Sequence, residues 1–399
     1  MVFLRVVHRW LGLALAALVV VVAVSGGLLL LRDPYYRAVY PALREPIRST
    51  QVASRAAVLT TIESRWRTEG VRLVKFPRPD VNAFQVWLGD GTEAFVDPEN
   101  GTTIDRWHWS ERLPAFLFEL HAHLLAERTG TVINGFAALC LVFMGVTGIL
   151  LWWPARRGAF RIRRAIPRRA TSSQLLRSHA AVGALAVVPV LVFAATGAGL
   201  VFYEPAAHAM SALFDAHRPQ EPDARVTPKG VPARPWTEIL DVLDRTFPDG
   251  EAVFYYPGTL DNARLMFRKR LSGEWHPNGR SHIVIDPYTA DLVQAIDARA
   301  QGGGTRFMHA LYPIHSAKVG GAAMLAIAAV AAVALTWLGT SGIWAYVARR
   351  AVVMRQRHTA AQEASRVFDG LRKSAPRACH GDARVLAEIP PGARDGEIS

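Results

Sequence analysis

Apolar and charged positions along this chain are segregated into long blocks. Four stretches, 10–31, 130–155, 180–203 and 319–348, contain no Asp, Glu, Lys or Arg. A helix of about 20 apolar residues crosses a bilayer core, so each stretch predicts a membrane span. The first is longer than the apolar part of a signal peptide and lacks a clean small-x-small cleavage site, which predicts a retained helix. Between the spans the polarity is ordinary. A helix is predicted over 53–69 and another over 237–247. Each is followed by β-rich runs around Asp97-Pro98 and Asp286-Pro287. β-branched residues flanking a turn that starts with Asp-Pro predict a hairpin, so each intervening segment reads as a small α+β module.

The blocks also repeat. Moving His8-Arg9-Trp10-Leu11-Gly12 along by 171 residues lands on His179-Ala180-Ala181-Val182-Gly183, and the same shift carries Ser25-Gly26 onto Thr196-Gly197 and Asp33-Pro34 onto Glu204-Pro205. A shift of 194 carries His121 onto His315, Gly145 onto Gly339 and Thr147-Gly148 onto Ser341-Gly342. The expected fold class is therefore a membrane α-helical protein, with four transmembrane helices arranged as two tandem repeats.

Charge adds orientation. The chain has 399 residues and a formal net charge of +13. Arg5 and Arg9 precede the first span. Arg156, Arg157, Arg161, Arg163, Arg164, Arg168 and Arg169 lie between the second and third, and Arg349, Arg350, Arg355 and Arg357 follow the fourth. Positive residues collect on the cytoplasmic side, which predicts cytoplasmic termini and a cytoplasmic 156–178 loop. Nucleic acid is a poor partner for these residues, because they flank spans and lack interleaved aromatics. Trp10, Trp152, Trp153 and Trp344 sit near span ends as interfacial anchors. The two cysteines, Cys140 and Cys379, make no disulfide framework, and Cys379-His380 lacks the spacing of a metal or c-type haem site.

The histidines carry the chemistry. Four of them in two repeat-related pairs beside four spans is the pattern of a membrane cytochrome. Haem b needs two axial imidazoles and an apolar slot. His8 and His179 begin spans that run the same way, so they share a depth near the cytoplasmic face. Gly12 and Gly183 stand four residues on, on the same helix face, where a missing side chain lets a macrocycle approach. His121 and His315 precede spans two and four at the outer side and are the second expected ligand pair. From His121 to Trp152 is too far for one straight span, so breaks are expected near Gly130 and Gly320-Gly321. His123 and His309 are secondary candidates, for iron substrate or a haem propionate. His108, His208, His217, His276, His282, His358 and His380 have no repeat partner and read as ordinary. The Ser/Thr-Gly pairs read as close helix packing, with haem accommodation as the alternative.

These marks resemble the PepSY-associated transmembrane family, which includes bacterial iron-regulated membrane proteins and siderophore-linked ferric reductases. The resemblance is carried by His8-Arg9-Trp10-Leu11-Gly12, Leu120-His121, Thr147-Gly148, Trp152-Trp153-Pro154, the two Asp-Pro hairpins and Tyr312-Pro313-Ile314-His315, and it extends from residue 1 to about 350. It implies a multi-pass inner-membrane protein with two PepSY-like modules facing the periplasm. The expected layout is helix one at 1–31, module one at 32–129, helix two at 130–155, a cytoplasmic loop at 156–178, helix three at 179–203, module two at 204–318, helix four at 319–348 and a cytoplasmic tail at 349–399. The implied function is a haem b electron-transfer protein with two haems. It would reduce periplasmic ferric complexes, above all ferric siderophores, for iron uptake. Electrons would enter at the cytoplasmic-side haem and leave at the periplasmic-side one. No flavin or nicotinamide motif is present, so a membrane quinol or a partner reductase is the expected donor. The competing reading is a non-enzymatic PepSY scaffold that binds a partner or regulates a peptidase.

Overall fold

The computed structural model describes residues 1–44, 51–153, 165–214, 226–227, 230–259 and 261–374. The sequence marks at His217, Cys379, His380, Pro154 and the arginines from Arg156 to Arg164 lie outside the described residues. The chain divides into one compact unit, Met1–Tyr346, and a second, Val347–Ser399.

Four helices are long and apolar enough to cross a membrane: α1 (Val2–Leu29), α5 (Glu127–Trp152), α6 (Ser172–Val201) and the first part of α10 (Gly321–Ser374). Small residues let them approach closely, the usual device where lipid removes the hydrophobic drive between helices. A Cβ at Gly145 of α5 would lie 2.6 Å from Leu191 of α6, and one at Gly339 of α10 would lie 2.6 Å from Val20 of α1.

The expected breaks are present. Short helix α4 (Leu113–His123) ends in left-handed backbone at Leu124 (φ 51°) and Leu125 (φ 57°) before α5 begins. Gly130 lies tight against this turn, where a Cβ would meet the His123 carbonyl. Helix α9 (Gly303–His315) passes through Ser316 (φ −84°) to left-handed backbone at Ala317 (φ 53°), Gly320 (φ 74°) and Gly321 (φ 59°). The breaks free α4 and α9 to lie at their own angles, each with a histidine in its last turn.

Between the spans lie α2 (Arg32–Val39), α3 (Val52–Arg65), α7 (Tyr203–Phe214) and α8 (Trp236–Arg245). Eight strands accompany them: β1 (Val71–Lys75), β2 (Phe84–Leu88), β3 (Thr92–Val96), β4 (Thr103–His108), β5 (Gly250–Tyr256), β6 (Leu265–Leu271), β7 (Ser281–Ile285) and β8 (Leu292–Ile296). Both Asp-Pro hairpins form as expected. Asp97 Oδ1 accepts the Glu99 and Asn100 amides at 2.8 and 3.1 Å, and Asp286 Oδ1 accepts the Tyr288 amide at 2.7 Å. The turns close on Gly101 (φ 70°) and, at the matching place, on Ala290 (φ 62°).

The two α+β segments are joined into one antiparallel sheet, ordered β4-β3-β2-β1-β5-β6-β7-β8. The seam is β1 on β5, with Val74 opposite Tyr255 and Lys75 opposite Phe254. Pairing these strands removes two edges that would otherwise be open to foreign strands. Helices α3 and α8 cover one side, and the core beneath them crosses the seam: Leu59, Ile62, Leu240 and Leu243 pack on Val74, Val86, Tyr255, Phe267 and Ile283. Each such side chain contributes about 1.5–3 kcal/mol on burial. Glu63 of α3 ties the halves further, accepting the Trp236 indole N–H at 3.0 Å and the Tyr255 hydroxyl at 2.8 Å. The opposite side carries Tyr36, Phe95 and Trp107 in a smaller apolar cluster.

Candidate haem centres

The histidines expected to act as ligands stand in four matching sockets. His121, at the end of α4, turns its ring into α1. Its Nδ1 lies 2.9 Å from the Val22 carbonyl and 3.4 Å from the Ser25 hydroxyl, and a Cβ on Gly26 would come within 2.6 Å of the ring. His315, at the end of α9, meets α6 in the same manner. Its Nδ1 is 3.1 Å from the Phe193 carbonyl and 3.1 Å from the Thr196 hydroxyl, and a Cβ on Gly197 would come within 2.9 Å. His8 of α1 has its Nδ1 2.9 Å from Thr147 Oγ1 on α5, with Gly148 beside the ring. His179 of α6 has its Nδ1 3.3 Å from Ser341 Oγ on α10, with Gly342 beside the ring. In each case a Ser/Thr-Gly pair on a neighbouring helix supplies the hydroxyl and the space.

The sockets fix the tautomer. A carbonyl only accepts, so His121 and His315 carry a proton on Nδ1 and donate it to Val22 and Phe193. The same holds at His8 by a relay. Thr147 donates its own hydroxyl proton to the Met144 carbonyl at 3.1 Å, so it accepts from His8. Ser341 donates to the Leu338 carbonyl at 3.4 Å and plays that part for His179. All four rings therefore keep the Nε2 lone pair free. A ligating histidine whose other N–H is held by a carbonyl or hydroxyl is the usual arrangement at a metal.

The outer pair also has the spacing of axial ligands. The rings of His121 and His315 have centroids 6.0 Å apart and an interplanar angle of 39°. Two metal–nitrogen bonds of about 2 Å, plus a ring radius on each side, come to roughly 6 Å. His8 and His179 lie within electrostatic range of each other. The outer pair thus fits haem b by donor chemistry and spacing, and the inner pair by donor chemistry alone; the chemistry haem b would supply is reversible one-electron transfer.

The other sequence-selected residues lie as follows. Gly12 faces Met144, whose methyl would be 2.8 Å from a Cβ, and Gly183 faces Leu338 at 3.6 Å. The glycines that meet the histidines are Gly26, Gly148, Gly197 and Gly342. His123 pairs with Glu119 on its own helix at 2.7 Å and stands edge-on to Phe118. His309 lies within electrostatic range of Arg280, Arg268 and His282, three groups of the sheet and its connections. Sequence reasoning took the Ser/Thr-Gly pairs that contain the hydroxyl partners Ser25, Thr147, Thr196 and Ser341 for close helix packing, with haem accommodation as the alternative. Their signal was present, since they repeat at the same shifts as the histidines they hold. It also treated His276 and His282 as ordinary, and both stand close to Arg268 and Arg280.

Around the α9–α10 break the charges are paired. Asp33, just past α1, receives Lys318 at 2.8 Å and Arg78 at 3.7 Å. Burial opposes its ionisation, but these cations outweigh it and hold the carboxyl at about 2. The link ties the end of α1 to the turn that positions His315.

No curated protein matches the chain. The family described as the PepSY-associated TM region matches residues 5–349. That range contains all four spans, the whole sheet and every socket, and the chain is a multi-pass membrane protein belonging to the PepSY-associated transmembrane family.

Proposed function

We propose that the chain is a haem b protein of the bacterial inner membrane that reduces periplasmic ferric complexes, ferric siderophores in particular, as a membrane ferric reductase for iron uptake. The observation that carries this reading is the fourfold socket: a ring with free Nε2, its Nδ1–H held by a neighbouring helix, and a glycine cleared beside it. Packing alone does not ask for a histidine at four equivalent places. His121 and His315 would hold the outer haem, and His8 and His179 the inner one. Haem b would supply a one-electron carrier at each pair.

The chain's own residues set the conditions. Val22, Phe193, Thr147 and Ser341 fix the rings and raise their basicity as ligands. The inner pair is half-buried among the spans. The two halves of the helix–sheet assembly form PepSY-like modules on the periplasmic side and are tandem repeats of one unit. Each ferric centre takes one electron. A quinol donor gives up two electrons and two protons, so one quinol serves two ferric ions. Fe(II) binds hard oxygen ligands more weakly than Fe(III), which releases the metal.

The test is reduction of a ferric siderophore by membranes energised with a quinol donor. His121→Ala and His315→Ala should each abolish reduction while the protein stays in the membrane. Wild-type rates in both variants would refute the assignment of the outer pair. A colourless wild-type protein would favour the scaffold reading.

A further inference from the structure

The side of the sheet turned away from α3 and α8 carries a second concentration of chemistry. Strand register sets Lys75 opposite Phe254, Phe254 opposite Arg268, and Arg268 opposite His282, in one row across β1, β5, β6 and β7. Lys75 and Arg268 both lie over the Phe254 ring, at 5.1 and 5.4 Å. His276 and Arg280 come from the β6–β7 connection, and His276 stacks on Tyr312 of α9 at 5.3 Å. His309 stands one turn before Tyr312 on the same helix, within electrostatic range of the same arginines.

Among the described residues the one carboxylate that acts on this group is Asp33, which acts on Lys75 and is itself paired with Lys318 and Arg78. Among the described residues no carboxylate forms an ion pair with Lys75, Arg268 or Arg280. The charged neighbours of His282 and His309 are all basic. Several donors are also left over. His276 is 5% exposed, and its Nδ1 accepts the Asn278 amide at 3.1 Å. The neutral ring therefore carries its proton on Nε2, which is buried and has no hydrogen-bond partner among the described residues, and the same is true of Arg268 Nε and Arg280 Nε. Buried donors are almost always satisfied, and clustered buried cations are costly without an anion.

We propose that Arg268, Arg280, His276 and His309 form a binding site for the carboxylate oxygens of an anionic ligand. Guanidinium groups suit this chemistry because their planar forks match carboxylates. Two sources share it. One is the propionate of a haem held by His315, six residues beyond His309 on the same helix. The other is an anionic ferric chelate. The second source deepens the proposed ferric reduction and rests on it; the site itself does not.

The experiment uses the full chain in detergent, with gallium(III) citrate as a redox-inert anionic chelate. Calorimetric binding is measured at low and high salt, beside haem content by pyridine haemochrome, for wild type, Arg280→Gln and the charge-retaining Arg280→Lys. His309→Gln replaces Arg280→Gln if that variant does not fold. Salt-sensitive binding that weakens about tenfold or more in Arg280→Gln, less in Arg280→Lys and with haem unchanged, identifies the free chelate. No gallium citrate binding, but loss of haem or a shifted haem potential in Arg280→Gln, identifies the propionate. The proposal is overturned if gallium citrate binding, haem content and potential are all the same in Arg280→Gln as in wild type. A colourless chain that still binds gallium citrate would sink the haem reading alone.

Discussion

His121 and His315 face each other across 6.0 Å, each ring held from behind by a backbone carbonyl of a different span, Val22 on α1 and Phe193 on α6. Neither histidine belongs to the span that holds it. Their meeting depends on the breaks after α4 and α9, and on glycines that leave room for the rings.

The glycines make graded predictions. A Cβ at Gly26 or Gly197 would intrude on an imidazole at 2.6 or 2.9 Å, whereas one at Gly148 or Gly342 would lie at an ordinary 3.5 or 3.9 Å. Gly26→Ala and Gly197→Ala should each lower haem content by about half, a loss of affinity of roughly 10–100-fold at one centre. Gly148→Ala and Gly342→Ala should keep it. Haemochrome quantification on the four variants decides; equal loss in all four would show that clearance is not what the glycines provide.

Ala290 closes the β7–β8 turn at φ 62°, where the β3–β4 turn has Gly101 at φ 70°. A left-handed L-residue costs about 1–2 kcal/mol, offset in part by the entropy that glycine adds to the unfolded chain. Ala290→Gly should therefore stabilise the sheet or leave it unchanged. A drop in thermal midpoint of several degrees would show that Ala290 is not strained.

Acid should loosen the basic side of the sheet. Burial first, then Arg268 and Arg280, push His276 to about 2, His282 to about 4 and His309 to about 3. Lys75 also acts on His276, which stacks on Tyr312, and Tyr203, Tyr256 and Tyr312 act on Arg280. In the unfolded chain these histidines titrate near 6.5. Between the two values the unfolded state binds more protons, so stability is present above about pH 6.5 and lost as pH falls toward 4. The stability from Asp33, held at about 2, is fully present above its ordinary value near 3.8 and is lost only as pH falls below it, outside that window. The thermal midpoint should fall between pH 7 and pH 5, and less so in His309→Gln. A flat profile would contradict the burial of these rings.

Much of this was legible in the sequence. The spans follow from length and absence of charge, and the hairpins from Asp97-Pro98 and Asp286-Pro287. The pairing of His121 with His315 follows from their shared shift with Gly145 and Gly339. The β1–β5 seam was not legible. Val74 and Tyr255 are far apart in sequence, and neither strand's alternation says which partner its edge will take. The sockets were half legible: Thr147-Gly148 and its three counterparts were visible as repeats, but a hydroxyl beside a glycine also suits plain helix packing. The basic cluster was hidden because Arg268, His276, Arg280 and His282 are scattered over two strands and a connection. Only the fold brings them against α9.

The arginines flanking the spans predict the topology. Reporter fusions at Asp90 and Asp261, both in connections of the sheet region, should show periplasmic activity. A cytoplasmic signal at either position would invert the proposed direction of electron flow.

The central claim is that four histidines hold two haems. Its most direct measurement is pyridine haemochrome quantification of the purified chain beside His8→Ala, His179→Ala, His121→Ala and His315→Ala. The account predicts two haem b per wild-type chain and about one in each single variant. Full haem content in all four variants, or none in the wild type, would contradict it.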